Sequence, residues 1–96
     1  MAMYKDGITP RIRYMVEKIN MVGVKELRDY CDKHKPKTNF RRQIKIVRAV
    51  AQKGYTYAAL EYGVSRQAEE NTVKRMYKIA LEVEALKDGK NNPQTL

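Results

Sequence analysis

Residues 54–81 read GYTYAALEYGVSRQAEENTVKRMYKIAL, and the run Tyr62-Gly63-Val64-Ser65-Arg66-Gln67 at its centre decides how the stretch folds. Glycine reaches positive φ without a Cβ penalty, so Gly63 can end one helix and turn the chain. Ser65 is a preferred N-cap residue, able to accept a hydrogen bond from an early amide of the next helix. Val64, between them, is an apolar plug for the gap between two helices. Ala58 and Ala59 are small enough to let helices approach closely. A short helix, a glycine turn and a capped longer helix make a helix-turn-helix, expected at about residues 55–82.

Downstream of the turn, Ala68, Thr72, Val73, Met76, Ile79, Ala80, Val83 and Leu86 recur at helical spacing. They predict one buried arc on a helix from Arg66 to about Lys87. Tyr77 and Leu81 form an i, i+4 pair beside that arc, placed to cover upstream helices of the same chain or to meet a second copy. Upstream, Gly54 ends a helix predicted over Phe40–Lys53, and Thr56 is an N-cap candidate for the short helix ending at Tyr62. Phe40, Ile44, Val47 and Ala51 mark the buried side of that upstream helix, with Ile46 and Val50 beside them. Thr38 or Asn39 can cap it.

The N-terminal half is also helical by its spacing. Thr9 can cap and Pro10 suits a first helical position. Ile12, Met15, Val16, Ile19 and Val22 follow at i, i+3, i+4, i+7 spacing, and Gly23 breaks the helix. Val24, Leu27, Tyr30, Cys31 and His34 predict a second amphipathic helix, followed by a linker at His34–Asn39 in which Pro36 disfavours helix before it. Strand-like alternation, internal repeats and low-complexity segments are missing from the sequence. The expected fold class is all-α: one helical domain of about five helices over residues 9–87, with a flexible N-terminus at 1–8 and a disordered polar tail at 88–96.

Composition narrows the function. The 96 residues suit one small domain, and the formal net charge is +9. Residues 1–48 hold 13 Lys/Arg against 5 Asp/Glu, whereas residues 49–96 hold 7 against 6. Between Lys33 and Leu60 there are 8 basic residues and no acid. A field of that kind favours a polyanion, nucleic acid ahead of an anionic membrane surface. The sequence contains no apolar run of about 18 residues, the length a membrane span needs, and no signal-peptide core. The lone Cys31 cannot form an intrachain disulfide, and the expected location is the cytoplasm. Cys31 and His34, the only histidine, read as structural residues. One His and one Cys leave no metal cluster or histidine-based triad, so neither an enzyme nor a cofactor is expected.

Two polar stripes fit DNA. Opposite the buried arc of the last helix lie Gln67, Asn71, Lys74 and Lys78, flanked by Arg66 and Arg75. Gln and Asn pair bidentately with adenine, and Lys and Arg meet guanine edges or phosphates. The N-terminal part of a recognition helix enters the major groove, which makes Ser65, Arg66, Gln67, Asn71 and Lys74 the expected base readers. Glu70 can accept from a cytosine amino group or favour the helix N-terminus by its charge. Arg41, Lys45 and Arg48 form a second stripe at i, i+4, i+7; with Arg42, Arg75 and Lys78 they are the expected phosphate contacts.

Gly54-Tyr55-Thr56-Tyr57, Glu61-Tyr62-Gly63-Val64-Ser65-Arg66-Gln67-Ala68 and Val73-Lys74-Arg75 resemble the helix-turn-helix of sigma-70 region 4 and related small bacterial and phage regulators. The resemblance covers roughly residues 40–82, with its specific part at about 54–75. It implies that residues 65–75 form the recognition helix, that 40–53 form a support helix, and that the function is transcriptional regulation through double-stranded DNA, by a monomer or homodimer. Contact with RNA polymerase or another protein is the other use of such a fold, and RNA is a third partner class because a positive field does not distinguish nucleic acids.

Two departures stand out. Gly54 and Gly63 are about two residues closer than in that family, so the first motif helix is clipped or entered differently. Glu69 occupies a position where that family carries a buried Val or Ile, so either it meets a basic partner, or the helix is rotated relative to the family, or Ala68–Asn71 form an extra helical turn before Thr72-Val73-Lys74-Arg75. A buried carboxylate is costly, so Glu69 is expected at the edge of the core, reaching a basic side chain or solvent.

Overall fold

The computed structural model describes residues 8–91, with side chains described through Lys87. Thr9 opens the first helix, α1 (Pro10–Val22), by accepting from the Ile12 amide at 3.2 Å. Gly23 joins it directly to α2 (Val24–His34). Asn39 caps α3 (Phe40–Lys53) through the Arg42 amide. α4 (Tyr55–Tyr62) and α5 (Arg66–Asn91) complete the chain, and no strand occurs among the described residues. The fold is all-α and forms a single domain.

α5 is the axis of the domain and touches each of the other four helices. Its buried side carries Thr72, Val73, Met76, Ile79, Ala80 and Val83. α1 runs alongside in the same direction: Tyr14 meets the Tyr77 ring edge-on at 6.1 Å, and Lys18 pairs with Glu84 at 3.0 Å. The Tyr77 contact lies within the chain. α2 runs the opposite way, with the Tyr30 hydroxyl donating to Glu82 at 2.8 Å and Glu26 pairing with Lys87 at 3.3 Å. Ile19, Leu27, Val47, Val50, Val73 and Met76 are the fully enclosed centre. Each large apolar side chain removed from water there contributes about 1.5–3 kcal/mol, and truncating one such as Met76 to alanine costs about 2–5 kcal/mol. Cys31 is enclosed with them, and burial raises its thiol pKa.

Several expectations change. Ile8, assigned to the loose N-terminus, packs into the core, because an isoleucine next to the capping Thr9 gains more from burial than from solvent. The remainder of that segment, residues 1–7, and the tail beyond Asn91 lie outside the described residues. α5 continues to Asn91, four residues past its expected end. Leu86, assigned to the buried arc, is 54% exposed: α2 meets α5 there through Glu26 and Lys87 and leaves that side of the helix uncovered. His34 is also exposed, its ring 4.6 Å from that of Tyr30. Gly54, and not Thr56, precedes the first turn of α4. At φ 93° it turns the chain from α3 into α4 within one residue, a conformation in which any side chain would be strained.

The sharpest change concerns Glu69. Its expected edge position is overturned, because the residue is wholly buried. It lies beneath Tyr55, near enough for its charge to disfavour ionisation of the tyrosine. α4 covers the side of the first turn of α5 that carries Glu69, while Arg66 and Gln67 on the other side stay exposed, and a wheel drawn for α5 alone does not reveal that cover.

Candidate nucleic-acid interface

The α4–α5 junction is set by local hydrogen bonds. Gly63 takes the left-handed conformation, φ 65° and ψ 35°, and its amide donates to the Ala59 carbonyl at 2.8 Å. The Ser65 hydroxyl accepts from the Ala68 amide at 3.1 Å. Arg42 reaches over from α3, donating to the Tyr62 carbonyl at 2.9 Å with its guanidinium 5.9 Å from the Tyr62 ring centroid. A cation satisfying a terminal carbonyl also opposes the negative end of the α4 dipole.

Two residues from the expected contact set therefore hold the turn together. Ser65 caps α5 through its hydroxyl oxygen and Arg42 closes α4 through one guanidinium nitrogen, and both side chains remain exposed. Arg66 lies over the Tyr55 ring at 4.7 Å from its centroid. Arg75 donates to the Gln43 side chain on α3 at 3.1 Å, which fixes it on the flank of α5. Glu70 is half-buried beside Tyr55 and stands off the exposed face.

The outward face of α5 is formed by Gln67, Asn71, Lys74 and Lys78, all exposed. Gln67 and Asn71 are hydrogen-bonded to each other at 3.2 Å, so the two amides present one fixed pattern of donors and acceptors. At about 100° per residue these four positions fall within roughly 60° of the helix circumference. That arc has no carboxylate between Gln67 and Lys78.

Arg41, Lys45 and Arg48 are exposed on α3 and make no ion pair among the described residues. The ion pairs between helices cluster elsewhere, between the lower half of α5 and the N-terminal half of the chain: Lys18–Glu84, Lys35–Glu82 and Glu26–Lys87. In two of the three, acids on α5 neutralise N-terminal cations, and the uncompensated charge gathers on α3 and the first half of α5.

The two cationic stripes do not merge into one surface. Gln43 meets α5 through Arg75, and Lys45 and Arg41 each sit about 160° from it around α3. The α3 stripe thus points away from α5. Alongside it, an open groove of ≈ 340 Å³ runs between α3 and the end of α4, lined by Lys45, Arg48, Ala49, Gln52, Lys53, Glu61 and Tyr62. Lys53 donates to the Tyr57 hydroxyl at 3.2 Å and sits 4.3 Å from that ring's centroid. Sequence reasoning missed Gln52 and Lys53; their signal, one more turn of the same acid-free helix, was present but unusable without the position of α4.

Tyr55 is the most enclosed aromatic residue, and its hydroxyl makes no hydrogen bond among the described residues. Burial pushes its pKa up to about 12; Glu70 and Glu69 add to that rise and Arg66 opposes it.

Among the described residues, no group of His, Cys, Asp and Glu is placed to hold a metal ion, and no helix is long and apolar enough to cross a membrane. Comparison with protein-family models, with curated proteins and with solved structures finds no match for this chain.

Proposed function

We propose that this protein binds double-stranded DNA at specific sequences and regulates transcription, with α4, the Gly63 turn and α5 acting as a helix-turn-helix of the bacterial and phage type. The observation that carries the reading is the outward face of α5. It joins two interlocked amides to two lysines without a carboxylate, on a helix whose N-terminus is free to enter a major groove. Gln67 and Asn71 read adenine edges, and Lys74 reaches a guanine edge or a phosphate. Lys78 and Arg75 track the backbone on the flank, and Arg66 stands at the helix entrance.

Selection of bound sequences from a random duplex pool at two salt concentrations tests this. Enrichment of a motif with A·T pairs at its centre is expected. With about four phosphates met by Arg66, Lys74, Arg75 and Lys78, affinity falls about a hundredfold between 50 and 200 mM salt. A pool that returns no motif, or binding indifferent to salt, refutes the reading.

A second reading, contact with RNA polymerase or another protein, draws support from Leu60, which is 82% exposed on the outer side of α4 next to the half-exposed Tyr57. A large apolar side chain standing in water is a common protein anchor.

A further inference from the structure

α3 carries five cations and no carboxylate from Phe40 to Lys53. One of them, Arg42, is occupied by the Tyr62 carbonyl. Arg41, Lys45 and Arg48 stand in solvent on the side of α3 turned away from α5. They span eight residues, about 10 Å of helix from the first to the last. One DNA strand presents a phosphate per about 3.4 Å of axis, so three cations over that length match about three consecutive phosphates. The adjoining groove adds Gln52 and Lys53, with Lys53 steadied on Tyr57. Glu61 is the single carboxylate on the groove wall, at the α4 side.

A straight duplex seated on the outward face of α5 lies roughly tangent to that face, out of reach of cations that point away from α5. We propose that the α3 stripe and its groove form a second nucleic-acid site, which grips the phosphate backbone of a second DNA segment while α5 holds the first. A single copy then bridges two segments. The second grip is indifferent to sequence, because lysine, arginine and one glutamine on a shallow surface meet phosphates and not base edges. This inference rests on α5 being the sequence-reading face.

The test is a two-duplex capture. A biotinylated duplex carrying the selected motif is held on beads, protein is added at a limiting amount, and retention of a fluorescent duplex of unrelated sequence is measured. Single-duplex gel shifts run in parallel. Wild type retains the second duplex well above the protein-free background. Lys45→Gln with Arg48→Gln keeps the gel shift on the motif duplex and lowers retention about tenfold, as expected when two of about three phosphate contacts go. Lys45→Glu with Arg48→Glu, checked by circular dichroism, abolishes retention. Four results overturn the inference. If wild type shifts no duplex at all, the DNA-binding reading fails and the inference with it. A normal shift without retention leaves DNA binding intact and the groove to another occupant, such as an acidic protein segment. Retention that survives in the Glu variant means that two copies bridge through their α5 faces. Parallel loss of shift and retention in the Gln variant means that α3 belongs to the α5 site.

Discussion

Replacing Tyr55 by phenylalanine isolates one buried polar group of the fold. The ring is enclosed where α4 closes over the start of α5, and its hydroxyl has no hydrogen-bond partner among the described residues. A buried donor left unsatisfied costs about 1–3 kcal/mol. Phenylalanine removes that cost and keeps the ring under the Arg66 guanidinium, at the price of a void smaller than a methyl group. The expected change at pH 7 is a stabilisation of about 1 kcal/mol, seen as a rise in Tm of about 4–8 °C for a domain of this size. A second signature lies in pH. The folded-state pKa, about 12, stands above the ordinary value of 10.0. A raised pKa in the folded state means that this tyrosine's contribution is fully present below pH 10 and is lost as pH rises towards 12. Wild type therefore loses about 1.4 kcal/mol relative to Tyr55→Phe by pH 11, because the unfolded chain ionises there and the folded one does not. Urea titrations of both proteins at pH 7 and at pH 11 measure the two differences. A Tyr55→Phe variant less stable than wild type by more than about 1 kcal/mol at pH 7, or a gap that does not widen with pH, would refute the enclosure of this hydroxyl.

Gly63→Ala is expected to cost about 1–2 kcal/mol by thermal melting, and Gly63→Asn clearly less; a methyl there meets nothing within 4 Å, so the whole penalty is the left-handed backbone. Arg42→Ala removes the bond to the Tyr62 carbonyl and is expected to lower stability by about 1 kcal/mol, with faster amide exchange in the last turn of α4; unchanged exchange there rules out the capping role. Asn71→Ala is expected to cost about 1–3 kcal/mol of discrimination on the selected motif while leaving random duplexes almost unaffected, and equal losses on both remove Asn71 from base reading. Gln67→Ala is expected to follow the same pattern and, made together with Asn71→Ala, to cost less than the sum of the two, because the amides are bonded to each other.

Local chemistry made much of this architecture legible beforehand. Thr9, Asn39 and Ser65 cap the helices that their side-chain oxygens announce, since a cap needs only the amides two or three residues ahead. Gly23, Gly54 and Gly63 mark the joints for a similar reason: a positive φ is a property of one residue. The outward stripe of α5 could be drawn on a wheel because helical periodicity assigns faces without reference to neighbours. Relations between helices are of another kind. Glu69 is sealed by α4, Leu86 is left open where the cover runs out, Arg42 is drawn to a carbonyl twenty residues away, and Arg75 is tied to Gln43. Each depends on the angle at which one helix crosses another, and packing of whole ridged surfaces sets that angle. The divergence of the α3 and α5 stripes belongs here too. Sequence alone placed both stripes on solvent faces; only the docking of α3 against α5 through Gln43 turned those faces in different directions.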